Sequence, residues 1–434
     1  MVYILRVARG LSGVRGLAVD LTPLRESRPY RWLWFGDVLS TFGRQLSNVA
    51  IPLHVYFLTH SSLMVGVLSL VQVGPLIAGS LMGGVIVDAH DRRRVILLTQ
   101  GSICLIAVGF AVNAELAHPQ LWLIFVLGVV QAWISGFDTP ARRAALASLL
   151  GVRLLPSALA LQQVLSNLSK LGGPALAGVL IAVAGIESAY WLWALTVFGA
   201  FAAASRLPAI LPQGGGRKAG WSSLVEGLAY VRTQRLVRSI LYVDLSAMVL
   251  GLPRALFPAI GVSVLGGTAA TVGMLYAAPG AGAFVGALTS GWLARVTRQG
   301  RAVLVAVAVY GVAMTGFGLS RWLWLTLLCL AAAGAADMFS AVLRNTMVQA
   351  STPDQLRGRV TSVNKAVISG GPMLGDARAG ALATLTSPVV SVVGGGLAVV
   401  AVTGLIAWRY PDLREASVRE DDPDPDAPLP RTPS

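Results

Sequence analysis

The sequence predicts an all-α membrane protein with about twelve transmembrane helices in two pseudo-symmetric six-helix halves. Three observations predict it. The 434-residue chain is 55% hydrophobic and only 12% charged, about half the charge fraction of a soluble domain. Its apolar residues fall in blocks close to ~20 long, the length that crosses ~30 Å of hydrocarbon at ~1.5 Å per residue. The first half of the chain also repeats in the second at a nearly constant offset.

Taken in order, the apolar blocks place spans near 32–58, 62–87, 94–113, 121–140, 159–185, 188–206, 237–263, 270–293, 302–319, 322–343, 362–386 and 388–408. This even number of passes puts both termini on one side. Basic residues choose the side: Arg6, Arg9, Arg15, Arg25, Arg28 and Arg31 precede span 1, Arg92 to Arg94 follow span 2, and Arg142, Arg143 and Arg153 follow span 4. Arg217, Lys218, Arg232, Arg235 and Arg238 fill the middle loop, while Arg295, Arg298 and Arg301 follow span 8 and Arg357 and Arg359 follow span 10. The opposite side has only Arg321. Positive loops stay inside, so both termini are expected in the cytoplasm. The net charge of +14 therefore reports topology and predicts no nucleic-acid partner, whose binding would gather Lys and Arg on one face.

The chain divides into a cytoplasmic segment 1–31, a six-helix bundle 32–206, a linker 207–235, a second bundle 236–410 and a tail 411–434. The linker opens with Pro208, Pro212 and Gly214 to Gly216; Trp221, Leu224, Val225 and Leu228 then recur at helical spacing opposite Glu226 and Arg232, which predicts an amphipathic surface helix. The tail, acidic and proline-rich from Glu420 to Pro430, is expected to be disordered. No compact apolar run with a small-residue cleavage site opens the chain, so no removed signal peptide is expected.

The repeat is explicit at polar positions. Asp37 matches Asp244, Gly84 matches Gly291 and Arg94 matches Arg301, each 207 residues on. Asp138 then matches Asp337 at 199, and Gly172-Gly173-Pro174-Ala175-Leu176 matches Gly370-Gly371-Pro372-Met373-Leu374 at 198. Two six-helix halves in parallel repeat are the plan of alternating-access transporters, with the substrate between them near the midplane.

Several functions are disfavoured. The chain has no Gly-x-x-x-x-Gly-Lys-Ser/Thr loop and so no ATP motor of its own. His54, His60, His90 and His118 lack metal-ligand spacing, and no nucleophile and base are spaced for intramembrane hydrolysis. Cys104 and Cys329 lie inside apolar blocks as small hydrophobes. We expect no enzyme activity, no metal and no cofactor.

Charges inside spans are the sharper signal, since each is unfavourable by ~2.5–3.5 kcal/mol on insertion scales. Asp37 and Arg44 lie two turns apart in span 1, and Asp244 and Arg254 fall in the matching span 7. A desolvated acid in a central cavity can exchange a proton unless an Arg holds it ionised, so Asp37 and Asp244 are either coupling groups or members of buried ion pairs that fix helix packing. Asp376 and Arg378 in span 11 and Lys170 in span 5 follow as weaker candidates. Trp133, Trp191, Trp193, Tyr276 and Phe284 lie within spans; Trp133 and Tyr276 are retained as cavity aromatics able to stack on an aromatic ligand. Trp322, Trp324 and Trp408 sit at span ends as interfacial anchors.

Gly84, Asp88, Asp91, Arg92 and Arg93, between spans 2 and 3, resemble the loop signature of the major facilitator superfamily, with Asp91 where that signature has a second Gly. Asp tolerates left-handed backbone better than most residues, so the turn is expected to survive. The resemblance implies a conformational latch: Asp88 meets the positive end of span 11, and Arg92 pairs with Asp138 at the base of span 4, Asp337 being the second-half counterpart. The plainer alternative is that these arginines only set topology. Gly173, Pro174 and Gly178 in span 5 resemble the antiporter signature of that superfamily, with Ala177 replacing one Gly.

A wider resemblance covers nearly the whole chain. Thr59-His60-Ser61, Gly273 to Pro279, Gly286 to Gly291, Thr352-Pro353, Gly358-Arg359-Val360 and Gly375-Asp376-Ala377 look like the enterobactin-exporter group of facilitator efflux proteins. That resemblance implies the major facilitator fold and siderophore export by proton antiport, with macrolide-like drug efflux as the alternative. The expected partners are a small-molecule substrate, protons and the lipid bilayer of a bacterial inner membrane, with the chain a monomer.

Overall fold

A computed structural model describes residues 20–151, 153–211, 221–251 and 253–416. The arginines at positions 6, 9 and 15, the Pro212 to Lys218 stretch and the acidic tail after 416 lie outside the described residues, as do the side chains of Trp221, Leu224, Val225 and Arg357.

The described chain is almost entirely helical, because blocks this apolar can satisfy their backbone in lipid only within each helix. The long helices are α1 (Arg28–Thr59), α2 (Ser62–Ala89), α3 (Arg92–Glu115), α4 (Leu121–Leu149), α5 (Leu155–Ser205), α6 (Trp221–Thr233), α7 (Arg235–Gly251), α8 (Ala269–Leu288), α9 (Gln299–Leu319), α10 (Leu323–Ala350), α11 (Asp354–Leu385) and α12 (Pro388–Arg409). Among the described residues, nine helical stretches are long and apolar enough to cross a membrane. α5 is one of them; its 51 residues comprise two helices that meet in a kink at Gly185, and so two passes. α1 and α11, at 32 residues each, fall outside the nine because polar side chains line them. Twelve passes result, with α6 as the connector between halves. The protein is a multi-pass membrane protein.

Local chemistry sets the ends. Ser27 caps α1 by accepting the Tyr30 N–H at 3.2 Å, and His60 closes that helix in the left-handed region, its N–H on the Tyr56 carbonyl at 2.7 Å. Spans 5 and 6, expected as separate helices, meet in a kink at Gly185, whose non-helical φ of 81° is open to glycine and strained for other residues. Span 7 is instead interrupted. α7 stops at Gly251, Pro253 cannot continue its ladder, and the chain resumes as a 3₁₀ turn, Arg254–Leu256, running through Phe257–Ala259 into a π turn, Ile260–Val264.

The loops α2–α3, α4–α5, α8–α9 and α10–α11 and the α6 connector share one end of the bundle, the end that gathers the arginines. We call it the basic end. The halves are joined at the other end. There Tyr56 and Ser263 share a hydrogen bond at 2.7 Å, and one apolar core mixes Leu53, Phe110 and Tyr190 with Ala255, Ala259, Ala269 and Val272 of the second half. α5 crosses α8 so closely that a Cβ on Gly178 would sit 2.6 Å from the Gly273 Cα. A separate core, including Tyr30, Leu33, Ile96 and Leu146, fills the basic end of the first half alone.

Candidate functional site

Charged side chains that the apolar helices tolerate gather into two clusters on matching helices. In the first half Arg142 is the hub. One guanidinium nitrogen hydrogen-bonds Asp37 of α1, while its Nε donates to Asp138 one turn earlier on α4, at 2.9 Å. Asp138 also accepts from Gln100 at 2.8 Å and Thr99 at 3.1 Å, and Asp37 accepts from Gln162 of α5 at 3.2 Å. All three charges are buried. Mutual pairing and these hydrogen bonds are what make such burial tolerable.

In the second half Arg344 of α10 plays the same part. It pairs with Asp244 of α7 at 2.7 Å, donates to Ser340 at 2.7 Å, and lies 3.7 Å from Asp337. Asp337 is half-exposed and faces a cavity of about 140 Å³ lined also by Met248, Asn345, Asn364 and Ile368.

The two aspartates singled out from sequence therefore do not pair with the arginines on their own helices. Asp37 is held by Arg142 and not by Arg44; Asp244 is held by Arg344 and not by Arg254. Helix-to-helix packing brings α4 to α1 and α10 to α7, whereas Arg44 and Arg254 are exposed. Arg142 reads from sequence as a loop charge after span 4, yet α4 continues to Leu149 and carries it inward. The i,i+4 spacing of Asp138 and Arg142 inside one helix is the signal that would have found it.

Asp376 sits at the interruption of span 7. One carboxylate oxygen accepts the Ala255 N–H at 2.8 Å, at the start of the 3₁₀ turn, and the other accepts from Ser69 of α2 at 3.3 Å. It thus satisfies a backbone donor left without a partner where the new turn begins and joins the halves. The Tyr276 hydroxyl donates to the Arg254 carbonyl at 3.0 Å and its ring meets Phe257 edge-on at 4.9 Å. Trp133 is half-exposed and tilted against Phe137, ring centroids 5.7 Å apart.

The expected Arg92–Asp138 pair does not form in this arrangement. Arg92 at the start of α3 donates to the Ala144 carbonyl at 3.2 Å and to the Ser148 hydroxyl, because Arg142 already occupies Asp138. Asp91 is also corrected. Its φ is −55°, and its carboxylate caps α3 through the Arg93 N–H at 2.9 Å and takes the Ile210 N–H at 2.9 Å, so it serves as a cap and not as a left-handed turn residue. Arg93 reaches the Ser205 carbonyl at 2.8 Å. Asp88 is exposed at the end of α2, and Gly84 lies one turn earlier in the same helix. In α5, Gly173 packs on Gln45 of α1, and Pro174 and Gly178 meet Gly273 of α8.

Comparisons with known proteins agree with this architecture. The family described as transmembrane secretion effector matches residues 18–431. The enterobactin exporter EntS of Citrobacter koseri is 31% identical over 412 residues, covering 95% of this chain and 98% of that protein. EntS of Shigella dysenteriae serotype 1 is 30% identical, covering 91% and 95%. Two solved transporters share the fold at low identity. A variant of the nucleoside transporter NupG has a TM-score of 0.72 at 10% identity over 89% of this chain and 100% of that one. A POT family transporter in complex with 5-aminolevulinic acid has a TM-score of 0.70 at 12% identity over 89% and 97%. A match over residues 18–431, with relatives at 30% identity or more across nearly the full length, shows that this chain belongs to the transmembrane secretion effector family of the major facilitator superfamily.

Proposed function

We propose that the chain exports a siderophore-class small molecule from a bacterial cytoplasm by proton antiport, with alternating access between its two halves. The observation that carries this reading is the pair of Asp–Arg hubs, Asp37–Arg142–Asp138 and Asp244–Arg344–Asp337, on corresponding helices of two halves joined at one end. An acid that gains a proton releases its Arg, so protonation and helix packing are coupled at both hubs. The match to proteins named as enterobactin exporters supports the substrate class.

The arginine count supports a cytoplasmic basic end and cytoplasmic termini. The described arrangement is then inward-facing, and the exposed Asp88 belongs to a latch that is open. In the outward-facing state Asp88 meets the start of α11, with Arg92 and Arg93 bracing α3 and Gly84 allowing the approach. The bundles 32–206 and 236–410 rock about the linker 207–235. The chain acts as a monomer and catalyses no covalent reaction.

A strain lacking the gene, compared with its parent under iron starvation, tests the substrate. The reading expects siderophore to build up inside cells and fall in the medium. Unchanged siderophore with new macrolide sensitivity would assign the chain to drug efflux instead.

A further inference from the structure

The two hubs and Asp376 account for the buried acids among the described residues, but Arg44, Lys170 and Arg254 lie inside spans and outside these groups. Arg44, Lys170 and Arg254 are exposed, and among the described residues none has a side-chain hydrogen bond or a carboxylate within 4.0 Å. Their depth is notable. Arg44 is 16 residues from the start of α1 and 15 from its end, and Lys170 is 15 residues from both Leu155 and the Gly185 bend. Both are at mid-membrane depth, where a cation is unfavourable unless it faces a polar cavity or a counter-charge.

The fold brings the three together. On α1, Asp37, Thr41, Arg44 and Asn48 form one polar stripe, and Asp37 fixes its direction by bonding Arg142 of α4 and Gln162 of α5. Gln45, beside Arg44, packs on Gly173, one turn beyond Lys170. On α5, Gln163, Asn167 and Lys170 share a face, and the Lys170 carbonyl lies against Gly280 of α8. Tyr276, one turn before Gly280, holds the Arg254 carbonyl. The same stretch of α8 thus has Lys170 of one half and Arg254 of the other beside it. Asp337, at the middle of α10, is within electrostatic reach of Lys170 and is the one acid of the two hubs with no cation closer than 3.7 Å.

We propose that Arg44, Lys170 and Arg254 form a mid-membrane anion site between the halves, so that the exported molecule is an organic oxyanion, bound through carboxylate or phenolate oxygens. This rests on the exporter reading. Arg44 and Arg254 are within electrostatic reach of Asp138 and Asp376, but Asp138 is already paired with Arg142 and Asp376 is held by Ala255 and Ser69, so no acid contacts the three cations until an anion enters. Arg presents a fork matched to oxyanions and Lys a compact charge. Because the cations come from both halves, a bound anion draws the halves together as the site changes sides.

The test uses the full chain in phosphatidylcholine vesicles with 2,3-dihydroxybenzoate and its neutral amide, 2,3-dihydroxybenzamide, as probes. The carboxylate should bind at least tenfold tighter than the amide. Lys170→Gln and Arg254→Gln should each weaken carboxylate binding about tenfold and leave amide binding unchanged, while Lys170→Arg keeps it. The apparent Tm of Lys170→Gln should not fall, since no partner is lost; a structural role would lower it. Equal affinity for both probes, or unchanged carboxylate binding in the Lys170→Gln/Arg254→Gln double variant, overturns the proposal. So does phosphatidylglycerol displacing the carboxylate through the same residues without any probe flux, which would assign the site to lipid headgroups. Gradient-driven flux that is indifferent to these variants removes the anion site and leaves the exporter; carboxylate binding with no flux under any gradient removes the exporter and leaves the site.

Discussion

Replacing Arg142 with Leu is the sharpest test of the hub. Asp37, Asp138 and Arg142 are 7%, 4% and 8% exposed, so solvent cannot compensate a lost partner. Removing the guanidinium strands two buried carboxylates and should cost about 3–5 kcal/mol, the usual effect of breaking a buried ion pair. Asp37→Asn should cost less, about 1–2 kcal/mol, because Arg142 keeps Asp138 at 2.9 Å and Asn still accepts from Gln162. The triple variant Asp37→Asn, Asp138→Asn, Arg142→Leu removes all three charges, and replacing a whole buried network is neutral or stabilising by about 1–4 kcal/mol. Thermal unfolding of the purified variants in detergent, followed by intrinsic Trp fluorescence, should therefore rank Arg142→Leu lowest, with the triple variant recovered to wild type or above. Equal midpoints for Arg142→Leu and Asp37→Asn would refute the reasoning, as would a triple variant no better than Arg142→Leu.

Gly178→Leu should force α5 from α8, since its Cβ starts 2.6 Å from the Gly273 Cα; overpacking of about 1–3 kcal/mol should lower disulfide formation between Tyr56→Cys and Ser263→Cys, and an unchanged yield would show that this crossing does not hold the halves. Asp376→Asn should lose about 0.5–2 kcal/mol of capping at Ala255, seen as faster amide exchange over 254–256; unaltered exchange there would deny it the cap role. Asp88→Asn and Arg92→Ala should each cut transport strongly while the protein stays folded in the membrane, and normal transport by both would remove the latch. Glu226→Gln should shift the melting midpoint by less than about 1 kcal/mol equivalent, because its 2.8 Å pair with Arg359 is exposed on both sides; a large drop would show that α6 docks through that pair.

The helical passes and their repeat are legible in the sequence because hydrocarbon thickness fixes block length and duplication preserves polar positions such as Asp37 and Asp244. Partner choice is not. Asp37 and Arg44 share a helix face in one dimension, but α4 delivers Arg142 to Asp37 only once the bundle packs. Arg344 is legible one to two turns past Asp337, but its pairing with Asp244 escapes for the same reason, since no local spacing reveals the contact of α10 with α7. Span 7 reads as continuous over 237–263 and its break at Pro253 goes unread, while Asp376 as the acceptor for the Ala255 N–H depends on where α11 lies. Asp91 shows the opposite case: it departs from the superfamily signature, yet its type and place just before a basic helix start already suit an N-cap.

Proton-driven export is the central claim, and gradient-driven flux tests it most directly. Acid-loaded vesicles containing the full chain are given a catecholate siderophore outside, and uptake is followed with and without a protonophore. The account predicts uptake that needs the gradient, collapses with the protonophore, and disappears in Asp37→Asn or Asp244→Asn while binding persists. Uptake of equal rate with and without the gradient would contradict proton coupling, and intact driven uptake in both variants would contradict its placement at the two hubs.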